Sequence, residues 1–291
     1  GFDPTGGTVE FSGSVAQTIS LASGNNFHDL KINNSNATEK VSAQGSALVV
    51  SNHLNIIDGI FESASDYHDV TIASGATLEL TGDITVSGNW TNNGTFTAGT
   101  HGVTFDGTTA QSISGNTFFN DLTINNSSAE ITLNSGIVIL GSLDLTNGII
   151  NQNTQSLSIR TGATVSNASN SSHTRNGHVT KWFNNPDPFT YPFGSGTYYM
   201  PITLADGSTN SNNISVAYMF AAQNQSSLNS SLHFIEVYCW DIQRITGTDG
   251  FNITIPFNNN HGIVDFNTLT IAMWDGTEWT ELPSTVTGTS S

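Results

Sequence analysis

The chain has 291 residues, with 23 Asp and Glu against 6 Lys and Arg, a formal net charge of −17. That field repels phosphate backbones and anionic bilayers, and the bases Lys31, Lys40, Arg160, Arg175, Lys181 and Arg244 are too dispersed for a basic patch, so nucleic acid is discounted as a partner. No apolar run is long enough to insert in a membrane, and the single cysteine leaves no internal disulfide, so a secreted form must draw its stability from β-pairing.

From the start of the chain, Val9-Glu10-Phe11-Ser12-Gly13 and Ala16-Gln17-Thr18-Ile19-Ser20 recur as Val103-Thr104-Phe105-Asp106-Gly107 and Ala110-Gln111-Ser112-Ile113-Ser114. Phe27-His28-Asp29-Leu30-Lys31-Ile32-Asn33-Asn34 recurs as Phe119-Asn120-Asp121-Leu122-Thr123-Ile124-Asn125-Asn126. Leu54 to Ile60 matches Leu143 to Ile149, and Ile72 to Thr77 matches Ile159 to Thr164, which completes two copies of 92–94 residues. Within each copy, apolar residues alternate with Thr, Ser, Asp or Glu in bursts of four to six, as in Leu78-Glu79-Leu80 and Ile84-Thr85-Val86. Period-two alternation predicts short strands with one buried face, and Asn93-Gly94, Asp106-Gly107, Ser135-Gly136 and Asn147-Gly148 supply tight corners. An unbroken train of such strands over residues 1–165 predicts an all-β, right-handed parallel β-helix whose stability grows by nearest-neighbour addition.

Residues 166–176, Ser166 to Asn176, lack apolar alternation and read as a polar linker. Six of the seven prolines and four of the five tryptophans follow it, so residues 177–291 read as a globular β-sandwich-like domain. Its expected strands are Gly177 to Phe183, Met200 to Leu204, Ile214 to Phe220, Phe234 to Ile242, Phe251 to Pro256, Thr268 to Trp274 and Trp279 to Leu282.

Both halves carry motifs of one kind of protein. The repeat stretches Val9 to Ser35 and Val103 to Ser127 resemble repeats of cell-surface, adhesin-type proteins of the Bacteroidota exported by the type IX secretion route. So do Tyr191-Pro192-Phe193-Gly194, Tyr199-Met200-Pro201-Ile202-Thr203-Leu204, Trp240-Asp241-Ile242-Gln243-Arg244-Ile245-Thr246-Gly247 and Trp274-Asp275-Gly276-Thr277-Glu278-Trp279. Cys239 stands where that pattern usually has an aromatic residue. The resemblance implies an extracellular location, a longer parent chain with a C-terminal sorting domain, and a structural or adhesive role.

The chemistry-bearing residues agree with a non-catalytic reading. The repeat region offers only Lys31, Lys40 and Arg160 as bases, unclustered, so a polysaccharide lyase is not supported, and the carboxylates are single and mostly at turns rather than paired as a glycosidase needs. Asp66-Tyr67-His68-Asp69 is the densest local grouping and reads as a solvated turn and strand. Asp58-Gly59, Asp106-Gly107, Asp206-Gly207, Asp249-Gly250 and Asp275-Gly276 could lend oxygens to calcium, but no Asp-x-Asp-x-Asp-Gly run accompanies them and turn chemistry accounts for them. Trp182, Trp240, Trp274 and Trp279, with Tyr198 and Tyr199, could stack on a sugar, but core packing explains them better. Cys239 lies in an apolar run and reads as an inert buried thiol.

The expected function is therefore that of a non-enzymatic surface protein, possessing no cofactor, whose partners are other copies of itself, other surface proteins or glycans. The competing readings are a carbohydrate-binding module of a larger secreted glycan-active enzyme and a β-helix enzyme.

Overall fold

The computed structural model describes every residue except 1–5, 21–25, 45–47, 207–210, 220–225, 233–238, 258–268 and 288–291. Alternation becomes one-sided burial: the strand Thr77–Leu80 buries Leu78 and Leu80 and leaves Thr77 and Glu79 half-exposed. The strands stack as a β-solenoid of about eight turns, without helix among the described residues.

A leading partial coil holds β1 (Thr8–Gly13) and β2 (Gln17–Ser20). Coil 1 holds β3 (Phe27–Asn34) and β4 (Lys40–Gln44), coil 2 holds β5 (Val49–Asp58) and β6 (Ile60–Ser63), and coil 3 holds β7 (Asp66–Ile72) and β8 (Thr77–Leu80). Coil 4 is β9 (Ile84–Val86), β10 (Trp90–Asn92) and β11 (Thr95–Thr97). Coil 5 runs through β12 (Gly102–Phe105) and β13 (Gln111–Ser114) into the first half of β14 (Thr117–Asn125). Coil 6 takes the rest of β14, β15 (Ile131–Leu133) and the start of β16 (Ile137–Asn147). The rest of β16, β17 (Ile150–Asn151) and β18 (Ser156–Ile159) make coil 7, and β19 (Thr164–Ser166), β20 (Thr174–Arg175) and β21 (His178–Phe183) make coil 8.

Parallel ladders join each coil to the next on three faces. Face A stacks Val50, Tyr67, Val86, Phe105, Ile124 and Leu145. Face B stacks Val9, Leu30, Leu54, Val70, Trp90, Ile113 and Leu133, partners that lie 21, 24, 16, 20, 23 and 20 residues apart. Face C stacks Val41, Phe61, Leu78 and Phe96, and beyond a break in the ladder, Phe119, Ile139, Ile159 and Lys181. Each face thus presents its apolar residues to a common core.

The two sequence copies do not occupy equivalent faces. Val9-Glu10-Phe11 lies on face B of the partial coil, whereas its match Val103-Thr104-Phe105 lies on face A of coil 5, five coils less one face further on. The Gln17 strand β2 on face C matches the Gln111 strand β13 on face B, and Leu54 on face B matches Leu143 on face A, with the same displacement. One copy therefore spans four and two-thirds coils, and the next begins one-third of a turn out of phase. The seam falls where the face-C ladder breaks between β11 and β14, and an aromatic cluster fills it. Trp90 lies 4.9 Å from Phe96 and 5.7 Å from Phe119, and Phe119 lies 5.8 Å from Phe96 and 6.4 Å from Phe105.

The stretch 166–176 expected to be a linker is part of coil 8. β19 pairs with β16, and β20 with β17. Ser172, His173 and Thr174 are fully buried, because their polar groups find backbone partners: Ser172 Oγ donates to Gly148 O at 3.0 Å and Thr174 Oγ1 to Pro192 O at 3.3 Å. The solenoid also passes the expected boundary, since β21 pairs in parallel with β18.

The rest of the chain adds β22 (Phe189–Tyr191), β23 (Ile202–Asp206), β24 (Asn212–Met219), β25 (Cys239–Thr246), β26 (Phe251–Thr254), β27 (Ile271–Trp274) and β28 (Trp279–Leu282). β24 lies antiparallel along β21, and β25 antiparallel along β24, so the sheet continues past the last coil by antiparallel pairing. β22, β23 and β26 form a three-stranded antiparallel sheet, and β27 and β28 a hairpin. Tyr191, Phe193, Ile202, Leu204, Ile214 and Val216 belong to the same core as the coils. Residues 234–238 of the expected strand Phe234 to Ile242 lie outside the described residues.

Candidate functional site at the solenoid ends

The residues singled out from sequence for metal or sugar chemistry are occupied structurally. In the Asp66 to Asp69 grouping, Asp66 accepts from Thr85 Oγ1 at 2.8 Å, His68 Nδ1 lies 3.0 Å from Ser87 Oγ, and Asp69 meets His53 Nε2 at 3.0 Å. These bonds run between neighbouring coils. Asp58 accepts from the Gly59 amide at 2.9 Å and Asp275 from the Thr277 and Glu278 amides at 2.8 and 2.9 Å, which is turn chemistry. Among the described residues no group of three or more His, Cys, Asp or Glu is placed to hold a metal ion. Trp182 is covered by the Arg160 guanidinium at 3.7 Å, Trp240 packs on Tyr218 at 5.9 Å, and Trp274 on Trp279 at 5.8 Å, three separate settings rather than one platform. Tyr198 is exposed. Cys239 is half-buried, and burial, reinforced by Asp241, pushes its thiol pKa up.

Repeat residues that sequence reading passed over hold the coils together. Asn34 and Asn126, equivalent in the two copies, are both fully buried and donate to Val15 O and Thr109 O at 2.7 Å each. Their Oδ1 atoms accept from Asn36 N and Ser128 N. Gln111 reaches into the coil beneath: its Nε2 donates to Val86 O at 2.9 Å and Gly88 O at 2.7 Å, while its Oε1 accepts from Gly107 N.

At the far end, coil 8 is covered. Lys181 stands in the apolar face-C column, paired with Ile159 on one side and Ile214 on the other. Its Nζ donates to Arg160 O at 2.9 Å and Ala163 O at 2.6 Å and lies 4.9 Å from the centre of the Phe189 ring. Burial pushes its pKa down to about 8. It borders a cleft of about 310 Å³ together with Ala163, Trp182, Asn185 and Phe189. With its donors met by two carbonyls and a ring face, the ammonium tethers the 160–163 turn. His173 plays a similar part on face B: Gly196 N donates to its Nε2 at 3.3 Å, which leaves Nδ1 to donate to Ser169 O at 3.2 Å. Desolvation holds its pKa below the ordinary value.

The near end has another character. Among the described residues β1 pairs only with β3 and β2 only with β4. Val9 and Phe11 are half-exposed and Val15 is 65% exposed. Among the described residues, coil 8 is followed by the antiparallel strand β24, whereas β1 and β2 are paired on one side.

Comparisons with protein-family models, curated proteins and solved structures give no match to the chain. Among the described residues no helix is long and apolar enough to cross a membrane.

Proposed function

We propose that the chain is a non-catalytic structural or adhesive protein of the cell surface, a segment of a Bacteroidota-type surface protein exported by the type IX route. The solenoid serves as a stiff spacer, and the strands after Phe183 fold as a β-sandwich-like cap that seals it and presents contacts. The observation that carries this reading is that the repeat's signature polar residues, Asn34, Asn126 and Gln111, are turned into contacts within and between coils. Repetition of this kind preserves length and rigidity, because each added coil contributes its own ladder and core.

The test is made on cells. Antibody against the solenoid should label intact cells, and deletion of the coding sequence should reduce attachment or cohesion while leaving glycan breakdown unchanged. Confinement of the protein to the cell interior, or loss of a glycan-degrading activity on deletion, contradicts the proposal. Tight binding on a glycan array, abolished by changing one exposed tryptophan, would favour a carbohydrate-binding module instead.

A further inference from the structure

His173 joins coil 8 to the chain that follows it. Its ring is fully buried and lies so close to Gly194 that a Cβ there would collide with it. The turn formed by residues 194–199 is held to coil 8 through three bonds: Gly194 N donates to Thr174 O at 3.0 Å, Gly196 N to His173 Nε2 at 3.3 Å, and Tyr199 N to Asn170 Oδ1 at 2.8 Å. The middle bond exists only while Nε2 is an unprotonated acceptor, because its partner is an N–H and the other ring nitrogen already donates to Ser169 O at 3.2 Å. A proton on Nε2 sets two donors against each other in a buried site. It also adds a second cation beside Arg175, whose Nη1 lies 2.9 Å from the place a Gly196 Cβ would take, and the Glu130 carboxylate that favours the charged ring is already paired with Arg175 Nη2. Residues 169–172 bring no titratable side chain, and the turn itself brings only Tyr198 and Tyr199.

We propose that His173 is an acid-released latch: its neutral ring holds the 194–199 turn on coil 8, and protonation frees that turn while the coils beneath stay paired. The exposed Tyr198 rides on the freed segment, so the surface at this junction changes on acidification. The sign follows from burial. Desolvation, assisted by Arg175, holds the pKa of the closed form below the ordinary 6.5, so the open turn takes the proton first. Opening therefore becomes more favourable as pH falls below 6.5, and levels off once the closed form is protonated as well. The latch is independent of the surface reading above, since it concerns only how the turn is held.

The experiment is made on the full chain by nuclear magnetic resonance. Ring nitrogen shifts at about pH 7.5 should show His173 neutral, with its proton on Nδ1 and none on Nε2. Amide protection factors at Gly196 and Tyr199 should fall by at least about fivefold between about pH 7.5 and about pH 5, while those within β14 stay within about twofold. His173→Gln, whose side-chain oxygen can still accept from Gly196 N, should keep the turn closed and remove the pH dependence. Protection that does not change with pH, the same fall in His173→Gln, or a proton on Nε2 at about pH 7.5 would each overturn the proposal. A fall shared equally by β14 would overturn it too, because the chain would then be unfolding as a whole. Should His173→Gln not fold, the ring shifts and the protection ratio of the native chain decide the matter by themselves.

Discussion

Lys181 shows what the solenoid does to a residue that composition counts as a surface base. Its strand position puts it in a column of isoleucines, and the fold keeps it there by giving the ammonium two carbonyls and the Phe189 ring. Because its folded pKa is near 8 rather than the ordinary 10.5, the unfolded chain holds a proton that the folded chain has released between those values, and stability rises with pH through that window. The gain approaches about 3 kcal/mol. Tyr67 and Tyr191, whose pKa values burial raises, act in the opposite direction above about pH 10, so the comparison is made with Lys181→Met. Urea midpoints measured at about pH 7.5 and about pH 9.5 should rise for the native chain relative to Lys181→Met, in which the raised thiol pKa of Cys239 leaves stability falling with pH. Equal slopes for the two would show that Lys181 is solvated. Neither this role nor that of Gln111 was legible from sequence, because both depend on which residue lies one coil away, a separation that varies from 16 to 24 residues.

At the scale of the element, the alternating strands were legible because period-two burial leaves a direct imprint on the chain. Six of the strands expected after residue 176 correspond to β21, β23, β24, β26, β27 and β28, and a seventh overlaps the described start of β25. Two features escaped for physical reasons. The three-residue strand β22 is too short to show a period, and coil 8 contains Ser172, His173 and Thr174 in its interior, where backbone hydrogen bonds rather than apolar area satisfy burial. The seam between copies was also hidden, although its aromatics were visible. Phe119 touches Trp90, Phe96 and Phe105 where the face-C ladder is interrupted, so packing replaces hydrogen bonding there. Phe119→Ala should therefore cost about 3–5 kcal/mol, read from the urea midpoint, and Phe119→Leu markedly less. A cost below about 1 kcal/mol would show that the seam is not held by the cluster.

For the whole molecule, the offset between copies, 94 residues at Val9 and Val103 and 87 at Ile72 and Ile159, was plain in the sequence, but its meaning required the coil as a ruler. One copy is four and two-thirds coils, so successive copies turn each repeated motif to a new face, and three copies are needed to return to the first. A surface feature carried by the repeat is then distributed around the axis, which suits a spacer that must be stiff in every direction more than a binder with one active face. The resemblance to surface proteins gave the functional expectation. Electron microscopy of the native protein isolated from cells, labelled with antibody against the solenoid, tests that account most directly. It predicts label along slender rods or fibres released from the cell surface. Isolated compact particles recovered from the cell interior would contradict it.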